Sequence, residues 1–102
     1  MNLEDFTPDT VRPHVGTNFH ATLDESRVVE LLLEEVKVVH EKHVSPRMNR
    51  DSFSLYFVGP DNVYMPQSMY NLSHDDLGGP WPVFLVPVGQ RGATFLYEAA
   101  FT

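Results

Sequence analysis

The sequence predicts a mainly β fold, a small antiparallel barrel or sandwich of five to six strands with a short N-terminal helix. Short segments alternate apolar with polar residues, as in Ser52–Val58, where Phe53, Leu55 and Phe57 share one face. Turn signals rich in glycine, proline, asparagine and aspartate separate these segments at short intervals. With 102 residues, 12% of them aromatic, the chain suits one core, so we predict a single domain over residues 1–102.

The first element is a short helix that we predict from Pro8 to Val11. Thr7 suits the position that caps the start of this helix. Pro8 suits its first turn, where the missing N–H of proline needs no partner. Pro13 limits the helix to one or two turns, and Gly16 lets the chain leave in a new direction.

The long apolar segment over residues 27–40 fits either a helix or a strand. Its valines and the strict alternation over residues 36–38 favour a strand. Leu31 and Leu33 share one phase of the alternation, whereas the valines at 36 and 38 share the other. We therefore expect a long strand with a β-bulge at Glu34–Glu35, where the phase changes.

The remaining strands follow from the same alternation and turn signals. We predict them at residues 17–22, 69–74, 81–88 and 93–101, with a brief extended stretch at 63–65 and a polar loop at 41–51. Their inward side chains are expected to be Phe19, Ala21, Tyr70, Leu72, Phe95, Tyr97, Ala99 and Phe101. Pro82 and Pro87 have no N–H to donate to a ladder, so we expect them at strand ends or on an edge.

Composition disfavours several classes of partner and chemistry. The formal net charge is −7, so a nucleic-acid backbone or an anionic membrane surface would repel the chain. The absence of cysteine excludes disulfides, thiolate zinc sites and a cysteine nucleophile. The N-terminus carries acids where a signal peptide needs basic residues, and no apolar run has the roughly 20 residues of a membrane helix. We therefore expect a cytoplasmic protein without cofactor.

Histidines and acids supply the candidate site chemistry. His74 and Asp75, followed by Asp76, form a cluster that could act as a base or bind a divalent ion if His20 or His14 lay nearby. The same Asp-Asp pair is also ordinary turn chemistry. A second pair, His40 and His43, would share a face on a helix, but it falls in a predicted strand end and loop. We interpret it as solvated and predict no metal site.

A second candidate surface is aromatic and surrounds Trp81. Trp81, Tyr64 and Met69 are residue types that make good interface anchors when exposed. If Trp81 is buried, it belongs to the core instead, and both alternatives stay open. Gln67 follows Pro66 in a loop, where its amide either binds local backbone groups or adds to the surface.

A series of short motifs runs along the second half of the chain. They are Phe53–Phe57 with Gly59–Pro60, Pro66–Gln67 with Tyr70, Leu72 and His74, Leu77–Gly78, Phe84–Pro87, and Tyr97–Ala99 with Phe101. Together with the opening helix and the long apolar strand, this pattern resembles a family of small bacterial all-β domains of unknown function. The resemblance implies no activity. That family is loosely associated with phage-tail-like gene neighbourhoods, which favours an accessory or assembly role.

Two main functional hypotheses remain from the sequence, beside a weaker third one, a metal-binding domain that uses His40 and His43. The leading one is a non-enzymatic protein-interaction or structural module that binds a protein partner or itself, through Trp81, Tyr64, Met69 and Gln67. The alternative is a small-ligand-binding or hydrolytic domain whose site contains His74, Asp75 and His20. The alternative requires that these three side chains converge in space.

Overall fold

The computed structural model describes residues 1–39 and 52–101, so the predicted loop at 41–51 and the pair His40 and His43 lie outside the described residues. Six antiparallel strands form a closed barrel. The strands are β1 (Asn18–Asp24), β2 (Arg27–Val39), β3 (Ser52–Val58), β4 (Ser68–His74), β5 (Gly78–Arg91) and β6 (Thr94–Phe101). Around the barrel their order is β1-β2-β3-β6-β5-β4, and pairing of β1 with β4 closes the ring.

The predicted N-terminal helix is confirmed as α1 (Pro8–Val11), flanked by 3₁₀ helices at Leu3–Asp5 and Arg12–His14. The Thr10 backbone N–H donates to the Thr7 hydroxyl oxygen at 3.2 Å, and the Thr7 N–H donates to the Thr10 hydroxyl at 2.8 Å. These reciprocal bonds satisfy donors that a helix start leaves unpaired. Within the described residues, no helix is both long and apolar enough to span a membrane.

The long apolar segment is a strand, as predicted, and it contains the predicted bulge. Its register against β3 shifts between Leu33 and Glu35. Before the shift Leu31 and Leu33 are buried, and after it Val36 packs against the core. The extra residue, Glu34, faces outward and accepts two hydrogen bonds from the Arg91 guanidinium at 2.7 and 3.3 Å. The bulge therefore lets one strand keep apolar side chains inside on both sides of a bend.

The barrel interior is filled by alternate side chains of all six strands. Its large buried members are Phe19, Leu31, Leu33, Phe53, Leu55, Phe57, Leu72, Leu85 and Tyr97. The Phe19 and Phe57 rings meet edge to face at 5.4 Å. Phe6, from the N-terminal segment, lies 1% exposed against the rings of Trp81 and Phe101, at 5.0 and 5.8 Å. The N-terminal segment thus packs on the core of the sheet.

β5 corrects the expectation that the two prolines lie at strand ends, although each of them lies where the strand has a partner on one side only, as on an edge. Both Pro82 and Pro87 lie inside this strand, not at its ends, because β5 extends beyond the predicted 81–88 on both sides. Its first half pairs with β4 and its second half with β6. Among the described pairings, each proline therefore has a ladder partner on one side only, and Pro87 borders a bulge. A strand that changes partner along its length accommodates a missing N–H in its interior.

The segment before β4 covers the barrel by contacts with Tyr97. Residues 63–65 form no strand in the described structure, unlike the brief extension that the sequence suggests. The Met65 N–H donates to the Tyr97 hydroxyl at 2.9 Å, and that hydroxyl donates to the Val63 carbonyl at 3.4 Å. Met65 is 1% exposed and Tyr97 is fully buried. One hydroxyl therefore holds this segment on the core.

Tyr97 is expected to make stability fall at alkaline pH. Burial raises the pKa of its hydroxyl, and nearby Tyr70 and Tyr64 raise it further, against the lowering effect of the Met65 N–H. The folded chain then holds this proton more tightly than the unfolded chain, whose tyrosines titrate at about pH 10. The contribution of Tyr97 is fully present below that pH and is lost as pH rises through the folded-state pKa.

The variant Tyr97→Phe provides the measurement for this prediction. At neutral pH it should lose about 1–3 kcal/mol of unfolding free energy, because the Met65 N–H is left buried without its acceptor. Urea titrations at increasing pH should show that the difference in unfolding free energy between the two proteins narrows above about pH 10. A difference that stays constant at alkaline pH would contradict the assignment.

Candidate functional site

Three of the five histidines of the chain converge with two aspartates at one end of the barrel. His14 ends the second 3₁₀ helix, His20 lies on β1, and His74 ends β4. Pairing of β1 with β4 places His20 opposite Ser73, one residue before His74. The following turn supplies Asp75, whose carboxylate lies 3.1 Å from His20 Nε2. Of the predicted His74, Asp75 and His20 cluster, the structure joins His20 to Asp75 directly, and His74 lies next to this pair at the end of β4.

His74 is the buried member of this cluster. It is 5% exposed, and its ring centroid lies 4.6 Å from that of Phe19 and 4.9 Å from that of His14. Burial lowers the pKa of His74, and the positive charge that His14 can carry lowers it further. Asp76 and Asp75 act in the opposite direction with smaller effects. The fold therefore favours a neutral imidazole at this position.

Hydrogen bonds also determine which nitrogen of His74 carries the proton. The Asp76 backbone N–H donates to Nδ1 at 3.0 Å, so Nδ1 must be the unprotonated nitrogen. Nε2 then carries the proton and donates to the Thr17 hydroxyl at 2.9 Å. Thr17 in turn donates to the His14 backbone carbonyl at 2.6 Å. This chain of bonds connects β4, the start of β1 and the 3₁₀ helix.

This tautomer does not suit hydrolytic chemistry at Thr17. A general base next to a hydroxyl nucleophile needs an unprotonated nitrogen facing that hydroxyl, and a carboxylate on its other N–H. In this cluster the protonated Nε2 of His74 faces Thr17, and a backbone donor occupies Nδ1. His20 and Asp75 form a separate pair whose carboxylate side chain is 88% exposed. In this tautomer His74 therefore cannot take the proton of the Thr17 hydroxyl.

Trp81, which the sequence leaves between interface and core, lies in the core. Its side chain is 5% exposed, and its ring meets Phe6 edge to face at 5.0 Å. Its indole N–H donates to the Met1 carbonyl at 2.8 Å. Trp81 is therefore unsuited to be a surface anchor, because both its ring and its polar group already have partners within the chain.

Met69 belongs to an outward-facing surface that the sequence only partly revealed. We call it the neutral wall and define it by six exposed, uncharged residues: Thr22, Val28, Met69, Asn71, Pro82 and Phe84. Strand register makes it continuous, since Thr22 pairs with both Val28 and Asn71, Asn71 pairs with Pro82, and Met69 pairs with Phe84. Val28, Met69 and Phe84 are 59%, 56% and 45% exposed.

The other two predicted surface residues lie outside the neutral wall. Tyr64 is 55% exposed and packs edge to face on Phe95 at 5.1 Å. Gln67 is exposed and directly precedes β4. Of the four predicted anchors, then, only Met69 lies in the wall. The sequence reasoning missed Val28 and Phe84, although both stand in the outward phase of alternating strands.

Formal charge is absent from the two stretches of sequence that supply four of the six residues of this wall. Residues 62–74 and 77–90 contain no Lys, Arg, Asp or Glu, although 21% of the chain is charged. These two stretches include β4 and nearly all of β5. Depletion of charge combined with exposed Met and aromatic side chains is typical of the central part of a protein interface.

Fold and site together define a small closed antiparallel β-barrel with a histidine cluster at one end and an uncharged outer wall. Residues 6–101 match the family described as a domain of unknown function, DUF6916, and the chain belongs to that family. No curated protein and no solved structure matches the chain. The family membership agrees with the predicted resemblance to a family of unknown function, whereas its phage-tail-like gene neighbourhood stays a prediction.

Proposed function

We propose that this domain is a non-enzymatic protein-interaction module, and that its neutral wall contacts a second copy of the chain. The observation that carries the proposal is a continuous outer surface of exposed apolar and uncharged polar side chains on four strands. The tautomer of His74 supports a non-enzymatic role, because the nitrogen that faces the Thr17 hydroxyl is protonated and cannot serve as its base. Net charge −7 also favours a protein partner over nucleic acid.

The distribution of charge favours a second copy of the chain as the partner that covers the neutral wall. Two chains of net charge −7 repel each other wherever their charged surfaces meet. On the neutral wall, two copies can approach each other without bringing like charges together. The border of the wall carries one positive and one negative side chain, since Arg27 lies beside Asp24 at the turn between β1 and β2. A symmetric contact can therefore set opposite charges against each other at the rim.

The size of the wall sets the expected strength of this contact. Strands about 4.8 Å apart, with a rise of about 3.3 Å per residue and every second residue facing outward, give the six residues of the wall roughly 200 Å². A standard interface buries about 800 Å² per partner, so rim residues must add to the contact and the dimer should be weak. We expect a reversible dimer with a Kd of roughly 10⁻⁵ to 10⁻³ M.

Sedimentation velocity over a concentration series tests the proposal directly. The sedimentation coefficient should rise from the monomer value toward the dimer value between low micromolar and millimolar protein. Added salt should change the association only weakly, because it screens both the repulsion between the two chains and the attraction between opposite charges at the rim. A monomer at every concentration would overturn the second copy as the occupant of the wall.

A further inference from the structure

We propose that His14, His74 and Asp76 form a binding site for a divalent transition-metal ion such as Zn²⁺. Each of these residues offers one ligand atom, and the three atoms lie within 4.8 Å of one another. They come from three parts of the fold: the second 3₁₀ helix, the end of β4 and the turn after it. This proposal is independent of the neutral wall.

One ring nitrogen of His74 is unprotonated, as a metal ligand requires, although it accepts the Asp76 backbone N–H in the absence of metal. A ligating histidine uses an unprotonated nitrogen for the metal and donates its other N–H to an outer partner that fixes the ring. In His74 the proton is on Nε2, where the Thr17 hydroxyl accepts it at 2.9 Å. Thr17 is itself held by the His14 carbonyl at 2.6 Å. The lone pair of His74 is thus on Nδ1, on the side of Asp76.

Two local changes convert this arrangement into a coordination sphere. The ion replaces the Asp76 backbone N–H at Nδ1 of His74, which breaks one hydrogen bond of 3.0 Å. The ligand atoms also approach one another, since metal bonds of about 2.0–2.1 Å place neighbouring ligands about 3.3 Å apart. His74 is buried and fixed, whereas Asp76 is exposed in a turn and His14 is half-buried. Asp76 and His14 must therefore make most of the movement that brings the ligand atoms together.

The donor set indicates the class of ion. Two imidazole nitrogens and one carboxylate suit Zn²⁺, Ni²⁺ or Cu²⁺, whereas Ca²⁺ and Mg²⁺ require mainly oxygen ligands. Water completes the coordination of an ion at this partly exposed place. A bound ion would link the 3₁₀ helix at Arg12–His14 to the turn between β4 and β5, so it should raise the midpoint of thermal unfolding.

Calorimetric titration of the full chain with ZnCl₂ tests the site, with Co²⁺ absorption as a second readout of the ligands. We expect one ion per chain and a cobalt spectrum of nitrogen and oxygen ligation. His14→Gln and Asp76→Asn should each weaken binding at least about tenfold. Both residues are at least partly exposed, so these variants should keep the far-ultraviolet circular dichroism of the folded chain.

Two controls make the test specific. His20→Gln alters a neighbouring histidine outside the proposed triad and should leave the affinity unchanged. The double variant His40→Gln, His43→Gln removes the two histidines outside the described residues and should also bind as the wild type does. Absence of binding, binding that survives both His14→Gln and Asp76→Asn, or binding lost in the His40, His43 variant would each overturn the proposal.

Discussion

The variant Trp81→Ala is expected to lose about 3–5 kcal/mol of unfolding free energy, the usual range for removal of a buried tryptophan side chain. Trp81 is 5% exposed and packs edge to face on Phe6. Its N–H also holds the Met1 carbonyl at 2.8 Å, so the variant loosens the N-terminal segment as well. Urea unfolding followed by circular dichroism measures the change.

The control for this prediction is Trp81→Phe. It keeps an aromatic ring in the core but removes part of the buried area and the indole donor, so it should lose clearly less stability than Trp81→Ala. If Trp81→Ala kept the wild-type stability but changed the association of the chain, Trp81 would be an interface anchor and its assignment to the core would be wrong.

The double variant Met69→Lys, Phe84→Lys is expected to abolish self-association. The two positions face each other across β4 and β5 in the neutral wall. In a symmetric dimer, four ammonium groups would then lie in the contact without partners, and burying an unpaired charge is far more unfavourable than a weak dimer can offset. The folded monomer should persist, because both side chains are exposed in the wild type. Sedimentation velocity should show a monomer up to millimolar concentration.

Val88→Lys is the matched control for the wall. Val88 is 49% exposed on β5 but lies outside the neutral wall. This variant adds one positive charge to an exposed apolar position on the same strand, and it should associate like the wild type. A double variant at 69 and 84 that still dimerised would place the contact elsewhere on the barrel.

Local patterns predicted the strands well because side-chain alternation records which face is buried. The bulge at Glu34–Glu35 is the clearest case, since a single residue of phase change in β2 is visible in the sequence and is confirmed by the register shift. The prolines of β5 show the limit of such reasoning. Whether Pro82 sits in a strand interior depends on which partner strand lies on each side, and that follows from the closed ring.

The candidate site depended more strongly on long-range structure. His20 lies opposite Ser73, next to His74, because β1 pairs with β4. These strands are far apart in the chain, and alternation cannot indicate that pairing. The tautomer of His74 depends on a backbone N–H of the next turn. Trp81 is buried because the N-terminal segment returns to cover it. The sequence supplied the residue types, and the topology determined their neighbours.

Chemical cross-linking of single-cysteine variants tests most directly whether the neutral wall is the contact between two copies. The chain contains no cysteine, so Asn71→Cys places the only thiol in the middle of the wall. Ala100→Cys, at an exposed position on β6, is the control. With a short bis-maleimide, we expect covalent dimers from Asn71→Cys at high protein concentration and few from Ala100→Cys. Equal cross-linking at both positions, or none at Asn71→Cys, would contradict that expectation.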